Sequence, residues 1–219
     1  MNKYIEFALQ DTYEDYVAKD KIFRALKLGV GGIALPPFFL YLAELIPDGY
    51  IVSTYVDYPY GHENTQLRQH AIISAANRGA RSVDVVCPHF YLLNKKYDKF
   101  ESDINSCLQA SNSKGISLRL MLDYRLIPDT KDLNHVCKLL NKIGIEYVFP
   151  STAHFADDFW DNLIIAQHIQ SEFEISTIAN GNIYNANHFD AMRKTDIFGI
   201  RFNNITALER FMVYQPVED

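Results

Sequence analysis

The sequence alternates between short apolar runs and longer stretches of helical periodicity, from one end of the chain to the other. This alternation is typical of β-strand and α-helix units arranged around a parallel sheet. We count eight units, and eight predict a closed barrel rather than an open sheet. The predicted strands are Tyr4 to Leu9, Gly31 to Leu35, Tyr50 to Asp57, Ser82 to Cys87, Ser117 to Leu122, Tyr147 to Pro150, Glu174 to Ile178 and Phe198 to Phe202.

The helix signals between these strands support the same fold. Asn64 to Arg78 is the clearest predicted helix, and Gly79 follows it as a stop signal. Asp129 or Thr130 is the predicted N-cap of the fifth helix. No GxGxxG motif follows the first strand, as a dinucleotide-binding open sheet would need. We therefore predict an α/β fold, a compact (β/α)8 TIM barrel, as a single domain over residues 1–219.

Composition and charge exclude several classes of function. The net charge is −6 and the basic residues form no cluster beyond Lys95 and Lys96, so nucleic acid is not an expected partner. No apolar run reaches the length of about 18 residues that spans a bilayer, so no membrane association is expected. The N-terminus lacks the layout of a signal peptide, and we expect a cytoplasmic protein.

The cysteines give no sign of a disulfide framework or a structural metal site. Cys87, Cys107 and Cys137 are odd in number, far apart and without CxxC or Cys/His spacing. Buried thiols are the simplest interpretation. A metal site of carboxylates and histidines is conceivable, but no ligand spacing supports it; its members would be Asp57, Asp84, Asp123, His89 and His154. We expect no metal and no other cofactor.

Two consecutive segments carry a resemblance to a known family. Residues 53–61 read STYVDYPYG and residues 77–88 read NRGARSVDVVCP. They resemble motifs of deoxyribose-phosphate aldolase, in which a strand ending in Phe-Pro-x-Gly precedes a helix and then Gly-Ala-Asp-Glu-Val/Ile-Asp-x-Val. The second aspartate of that motif corresponds to Asp84. Further matches are residues 33–37, 118–123 and 151–152, and the resemblance spans Tyr4 to about Leu208.

The resemblance fails at the residues that carry the family's chemistry. Family members form a Schiff base on a sixth-strand lysine, whose pKa a seventh-strand lysine lowers, while the fourth-strand aspartate helps to move protons. Phe149 stands at the first lysine position and Ile178 at the second. No lysine lies between Lys142 and Lys194, so a slip in the alignment restores neither. Because only an amine condenses with a carbonyl to form the iminium, the family mechanism is not expected.

The resemblance also implies a ligand site at the ends of the seventh and eighth strands, where relatives hold a phosphate with glycine-rich amides. Asparagines and Arg201 replace most of those glycines, which weakens the site without excluding a phosphorylated ligand. The predicted ligand-binding residues are Tyr55, Phe149, Asn180, Gly181, Asn182, Arg201, Asn203 and Asn204.

Functional residues of such barrels lie at the C-terminal ends of the strands, so we expect the polar residues near those ends to form the site. Asp84 is either a partner of Arg119 in a buried ion pair or a general acid or base with a raised pKa. His89 and His154 are either proton shuttles or ordinary loop histidines. The predicted catalytic residues are Asp84, His89, Arg119, Asp123 and His154.

Many aromatic side chains are expected around the mouth of the barrel, which favours a less polar ligand than a sugar phosphate. Ordinary packing of loops explains them equally. The set comprises Tyr55, Tyr58, Tyr60, Phe90, Tyr91, Phe149, Phe155 and Tyr184.

Three functions remain open. The first is an enzyme repurposed for lysine-independent carbonyl, enol, lyase or dehydratase chemistry. The second is a pseudoenzyme that binds a small ligand or a protein partner. The third is a residual aldolase that uses a relocated amine such as Lys95 or Lys96. Charged residues on the barrel strands favour an enzyme acting on a small molecule, and the resemblance implies that a homodimer forms.

Overall fold

The computed structural model describes residues 3–154 and 157–214. Within them eight parallel strands pair in chain order, and β1 also pairs with β8, which closes the barrel. The predicted TIM barrel is confirmed. The strands are β1 (Tyr4–Ala8), β2 (Gly32–Leu35), β3 (Ile51–Val56), β4 (Ser82–Val86), β5 (Ser117–Met121), β6 (Tyr147–Phe149), β7 (Ser176–Ala179) and β8 (Gly199–Phe202).

Helices surround the barrel and follow the strands. They are α1 (Asp15–Lys27), α2 (Thr65–Asn77), α3 (His89–Leu93), α4 (Tyr97–Ser113), α5 (Thr130–Ile143), α6 (Phe159–Phe173), α7 (Ala186–Lys194) and α8 (Ile205–Val213). Short 3-10 helices cover Pro37–Leu45 and Tyr124–Leu126. No helix in the described part of the chain is long and apolar enough to cross a membrane.

Local sequence signals account for most element boundaries. The side chain of Asn64 accepts a hydrogen bond from the Leu67 amide at the start of α2, and Asp129 caps α5 through the Asp132 amide. The predicted seventh strand starts two residues too early. Glu174 adopts a left-handed conformation that ends α6, so β7 begins only at Ser176.

The apolar side chains form two cores. The larger one lies between the strands and the helices and includes Cys87, Cys107 and Cys137, which are free thiols. The prediction of buried cysteines is therefore confirmed. The smaller core lies inside the barrel and forms an apolar layer made of Ala8, Ala34, Tyr55, Val86, Met121, Phe149 and Ile178.

Candidate functional site

Four buried charged side chains meet inside the barrel and form what we call the ion cluster: Glu6, Asp84, Arg119 and Arg201. Each is at most 4% exposed. Arg119 donates to Asp84 (Nε to Oδ1, 2.7 Å) and to Glu6 (Nη2 to Oε1, 3.1 Å). Arg201 donates to Glu6 (Nε to Oε2, 2.7 Å) and to Asp84 (Nη2 to Oδ2, 2.5 Å). Carboxylates and guanidinium groups alternate around the cluster. Because there are two of each, the net charge of the cluster is zero.

The ion cluster lies deeper than the sequence suggested. Asp84 and Arg119 are the middle residues of β4 and β5, and they are neighbours in the sheet register. The expectation that they lie near the C-terminal ends of the strands is wrong, because alternation along a strand identifies the inward face but not the depth. The ion pair between Asp84 and Arg119, one of the two alternatives for Asp84, is present.

Electrostatics keep the cluster ionised. Burial alone would raise the pKa of Glu6, but the guanidinium groups of Arg119 and Arg201 outweigh it and lower the pKa to about 2. The hydroxyls of Tyr4 and Ser53 also donate to Oε1 of Glu6, each at 3.1 Å. A charged carboxylate in the interior is therefore fully paired, as buried charges must be.

Aromatic rings cover the ion cluster on the side of the barrel mouth. The guanidinium carbon of Arg201 lies 4.0 Å from the centroid of the Phe149 ring and 5.6 Å from that of Tyr55. Arg119 lies 5.1 Å from the Phe149 centroid. Phe149 and Ile178 are fully buried. Tyr55 and Phe149 thus separate the charges from the C-terminal end of the barrel, whereas Ile178, with Tyr4 and Tyr147, lines the opening at the opposite end.

A cleft of about 580 Å³ opens above this layer, and we call it the mouth cleft. Its aromatic lining comprises Tyr13, Phe38, Tyr55 and Tyr58, and its polar lining comprises Gln10, Thr12, Asp57, Glu63 and His154. The Gln10 side-chain amide donates to the Tyr55 hydroxyl at 3.0 Å and lies 3.5 Å from the Tyr58 hydroxyl. These three groups form a polar floor beneath aromatic walls.

The loop after β3 forms one edge of the mouth cleft. Asp57 has a left-handed backbone (φ 60°), and its carboxylate accepts from the amides of His62 (2.9 Å) and Glu63 (3.1 Å). The Arg68 guanidinium lies 3.7 Å away. Burial raises the pKa of Asp57, although Arg68 and the two amides act in the opposite direction. Asp57 therefore holds the loop and also faces the cleft.

Of the five predicted catalytic residues, His154 is the one that lines the mouth cleft in the described part of the chain. Its Nε2 lies 3.3 Å from the Tyr60 hydroxyl. His89 is buried under the loops with Nε2 2.5 Å from the Leu122 carbonyl oxygen, and burial lowers its pKa. Asp123 is also buried and accepts from the Thr152 hydroxyl at 3.2 Å.

The predicted ligand-binding residues are dispersed. Asn180 belongs to a buried network in which its amide donates to the Ser151 carbonyl and its oxygen accepts from Asn162. Asn182 lies beside the Asp157 backbone, and Asn204 caps α8. Tyr55 lines the cleft, whereas Phe149 and Arg201 lie below it. Gly181 is buried next to Asp157, and Asn203 is half-buried. Binding by these residues stays a prediction.

The aromatic residues also separate into groups. Tyr55 and Tyr58 line the cleft, whereas Phe90 and Tyr184 are exposed outside it, and Phe155 lies outside the described residues. Sequence reasoning missed Gln10, Thr12, Tyr13, Phe38 and Glu63. The first three directly follow the predicted first strand, and this position was the available signal.

Among the described residues, no group of three or more histidine, cysteine, aspartate or glutamate side chains is arranged to hold a metal ion. The fold and the cleft define the class: a (β/α)8 barrel protein with a cleft at the C-terminal ends of the strands, the end at which such barrels carry their active sites.

Sequence comparison identifies the relatives within this class. No family model matches the chain. The deoxyribose-phosphate aldolase of Clostridium kluyveri is 28% identical over 142 residues, which cover 64% of this chain and 63% of that enzyme. The Streptococcus sanguinis enzyme of the same name is 27% identical over 156 residues, covering 69% of each. The chain is homologous to deoxyribose-phosphate aldolases, and the match to the first relative spans less than two thirds of its length.

Solved structures of low sequence identity share the fold. An aldolase called QR15 superposes with a TM-score of 0.83 at 16% identity and covers 97% of both chains. The deoxyribose-phosphate aldolase of Aeropyrum pernix has a TM-score of 0.81 at 15% identity, covering 96% of this chain and 90% of its own. The likeness extends over nearly the whole barrel.

Proposed function

We propose that this protein is an aldolase-like barrel that binds a small molecule in the mouth cleft without forming a Schiff base. The observation that carries the proposal is the filling of the barrel interior by Phe149 and Ile178, the two residues that the sequence resemblance aligns with the family's lysines. None of the eight strands, all within the described residues, contains a lysine. An iminium therefore has no amine to form on at the base of the cleft.

The surroundings of Asp84 support this proposal. Both of its carboxylate oxygens accept hydrogen bonds from arginine guanidinium groups. A carboxylate held in this way stabilises the barrel and has no access to a ligand in the cleft, because the apolar layer with Phe149 lies between them. The proton-transfer role of the family aspartate is thus replaced by a structural one.

A relocated amine has little support. Lys95 and Lys96 are exposed, and the Lys96 ammonium lies 4.7 Å from the ring centroid of Phe90, which is not a lining residue of the cleft. The proposed function therefore includes no aldol reaction at Lys95 or Lys96.

A second candidate function is lysine-independent catalysis in the same cleft. Asp57 favours it, because burial raises the pKa of this carboxyl and a carboxyl of raised pKa at a cleft suits general acid or base catalysis. His154 lines the same cleft. The test is turnover of a carbonyl compound by the wild type and by the variants Asp57→Asn and His154→Gln. If both variants lose turnover but still bind the ligand, the cleft is catalytic and not only a binding site.

Borohydride trapping tests the main proposal. The protein is incubated with small aldehydes, including deoxyribose 5-phosphate, reduced with borohydride and analysed by intact mass. We expect no covalent adduct, whereas a lysine-containing deoxyribose-phosphate aldolase treated in parallel acquires one. An adduct on this protein would contradict the proposal, and the lysine mapped by peptide analysis would identify a relocated nucleophile.

A further inference from the structure

The lining of the mouth cleft combines aromatic rings with acidic groups. Tyr13 and Phe38 stack at 6.0 Å between centroids on one side, and Tyr55 and Tyr58 lie 4.9 Å apart at the floor. Aromatic faces carry negative electrostatic potential and attract cations within about 6 Å. Tyr13 and Phe38 are exposed at the rim, whereas Tyr55 is buried at the floor, where its ring already faces the Arg201 guanidinium. The rim pair and the half-buried Tyr58 are therefore the rings available to a cation.

The charged residues of the cleft have one sign. Asp57 and Glu63 line it, and no lysine or arginine of the described residues does. Arg201 lies below the floor, with its guanidinium carbon 5.6 Å from the Tyr55 ring centroid, and its charge is matched within the neutral ion cluster by Glu6 and Asp84. The Arg68 guanidinium lies 3.7 Å from Asp57 and offsets part of its charge, so Glu63 supplies most of the negative charge of the lining, which disfavours a phosphate ester.

We infer that the mouth cleft binds an organic cation, a small molecule carrying a quaternary or protonated amine. This inference rests on the proposed function and specifies the ligand class of that site. Tyr13, Phe38 and Tyr58 contact the cationic group, and Glu63 supplies the opposite charge. The hydroxyl of Tyr58 with the amide of Gln10 is placed for a polar group on the same ligand.

A pair of isosteric probes isolates the role of charge. Choline and 3,3-dimethylbutan-1-ol have nearly the same shape, and they differ in the positive charge. We would titrate each into the isotope-labelled full chain and follow amide resonances by NMR. Choline should bind at least about tenfold more tightly than the neutral alcohol, with shifts at Tyr13, Phe38 and Tyr58.

Variants place the binding in the cleft. Phe38→Leu should weaken choline binding by about threefold to tenfold, and Glu63→Gln by about threefold. Matched controls are Trp160→Leu, which removes an exposed ring on α6, and Glu44→Gln, which removes an exposed acid outside the cleft. Neither control should change the choline affinity.

Equal affinity for choline and the neutral alcohol, the absence of choline binding, or tighter binding of deoxyribose 5-phosphate than of choline would each overturn the inference. A neutral or anionic compound that shifts the cleft resonances would leave the proposed function standing. A borohydride-trapped adduct would remove the proposed function itself, so the two failures are distinguishable.

Discussion

At the scale of single residues, Glu6 shows how much the interior depends on complete charge pairing. Its carboxylate contacts both arginines of the ion cluster. Glu6→Gln leaves an uncompensated positive charge in the barrel and should lower the free energy of unfolding by about 3–5 kcal/mol. Urea denaturation followed by circular dichroism measures the loss.

The control for Glu6→Gln is Arg81→Gln, which breaks the exposed ion pair between Arg81 and Asp48. That change should reduce the unfolding free energy by less than about 1 kcal/mol. Similar losses in the two variants would show that the ion cluster is not effectively buried.

The pH dependence of stability provides a second signature of Glu6. Its pKa is about 2 in the folded protein against an ordinary value of 4.5, so folding favours the ionised form. The stabilisation from ionised Glu6 is complete at pH values above the pKa that Glu6 has in the unfolded chain. It is lost as the pH falls through the pKa that Glu6 has in the folded protein. The stability difference between the wild type and Glu6→Gln should therefore shrink between about pH 5 and about pH 2. A difference that stays constant over this range contradicts the pairing.

At the scale of elements, the loop after β3 depends on a glycine. Gly61 has φ 67°, and a Cβ at this position would clash with the Cys87 carbonyl oxygen. Gly115 has a similar φ of 65° with open space around it. Gly115→Ala should cost about 1 kcal/mol for its backbone conformation, and Gly61→Ala should cost several kcal/mol because the loop must also move. Thermal unfolding measures the loss of stability in each variant. Equal losses in the two variants would contradict the clash at Gly61.

The elements themselves were largely predictable from sequence, because their signals are local. Asn64 and Asp129 cap helices where a side-chain oxygen meets free amides, and Gly79 ends α2 with positive φ. Glu174 misled the prediction of β7, because glutamate gives no sign of a left-handed helix end.

The candidate site was less predictable, because depth within a barrel is a property of the whole sheet. The sequence offered a buried ion pair between Asp84 and Arg119 as one of two alternatives, but it did not show that aromatic rings close the barrel above this pair. Phe38 and Glu63 reach the cleft from the segments after β2 and β3, which pair with each other, so that the two segments adjoin at one edge of the sheet. How far each side chain reaches across that edge depends on the fold of the loops and not on the local sequence pattern.

At the scale of the whole molecule, the three cysteines report on the integrity of the barrel. Cys87, Cys107 and Cys137 are fully buried, and burial raises their pKa values, to about 12 for the latter two. Ellman's reagent at pH 8 should therefore react with none of them in the folded protein and with all three in denaturant. If the barrel unfolds as one unit, the thiols become reactive in the same transition that circular dichroism detects. Rapid reaction of one thiol without denaturant would contradict this packing.

The ion cluster also bears on how the chain is made. Both of its acids, Glu6 and Asp84, lie in β1 and β4, and both of its arginines, Arg119 and Arg201, lie in β5 and β8. A chain emerging from the ribosome presents its acids first, and those carboxylates must remain in water until cations are available to pair with them. Arg119 in β5 and then Arg201 in β8 supply those cations, so the charge pairing is complete only when the last strand, which also pairs with β1 and closes the barrel, has been made.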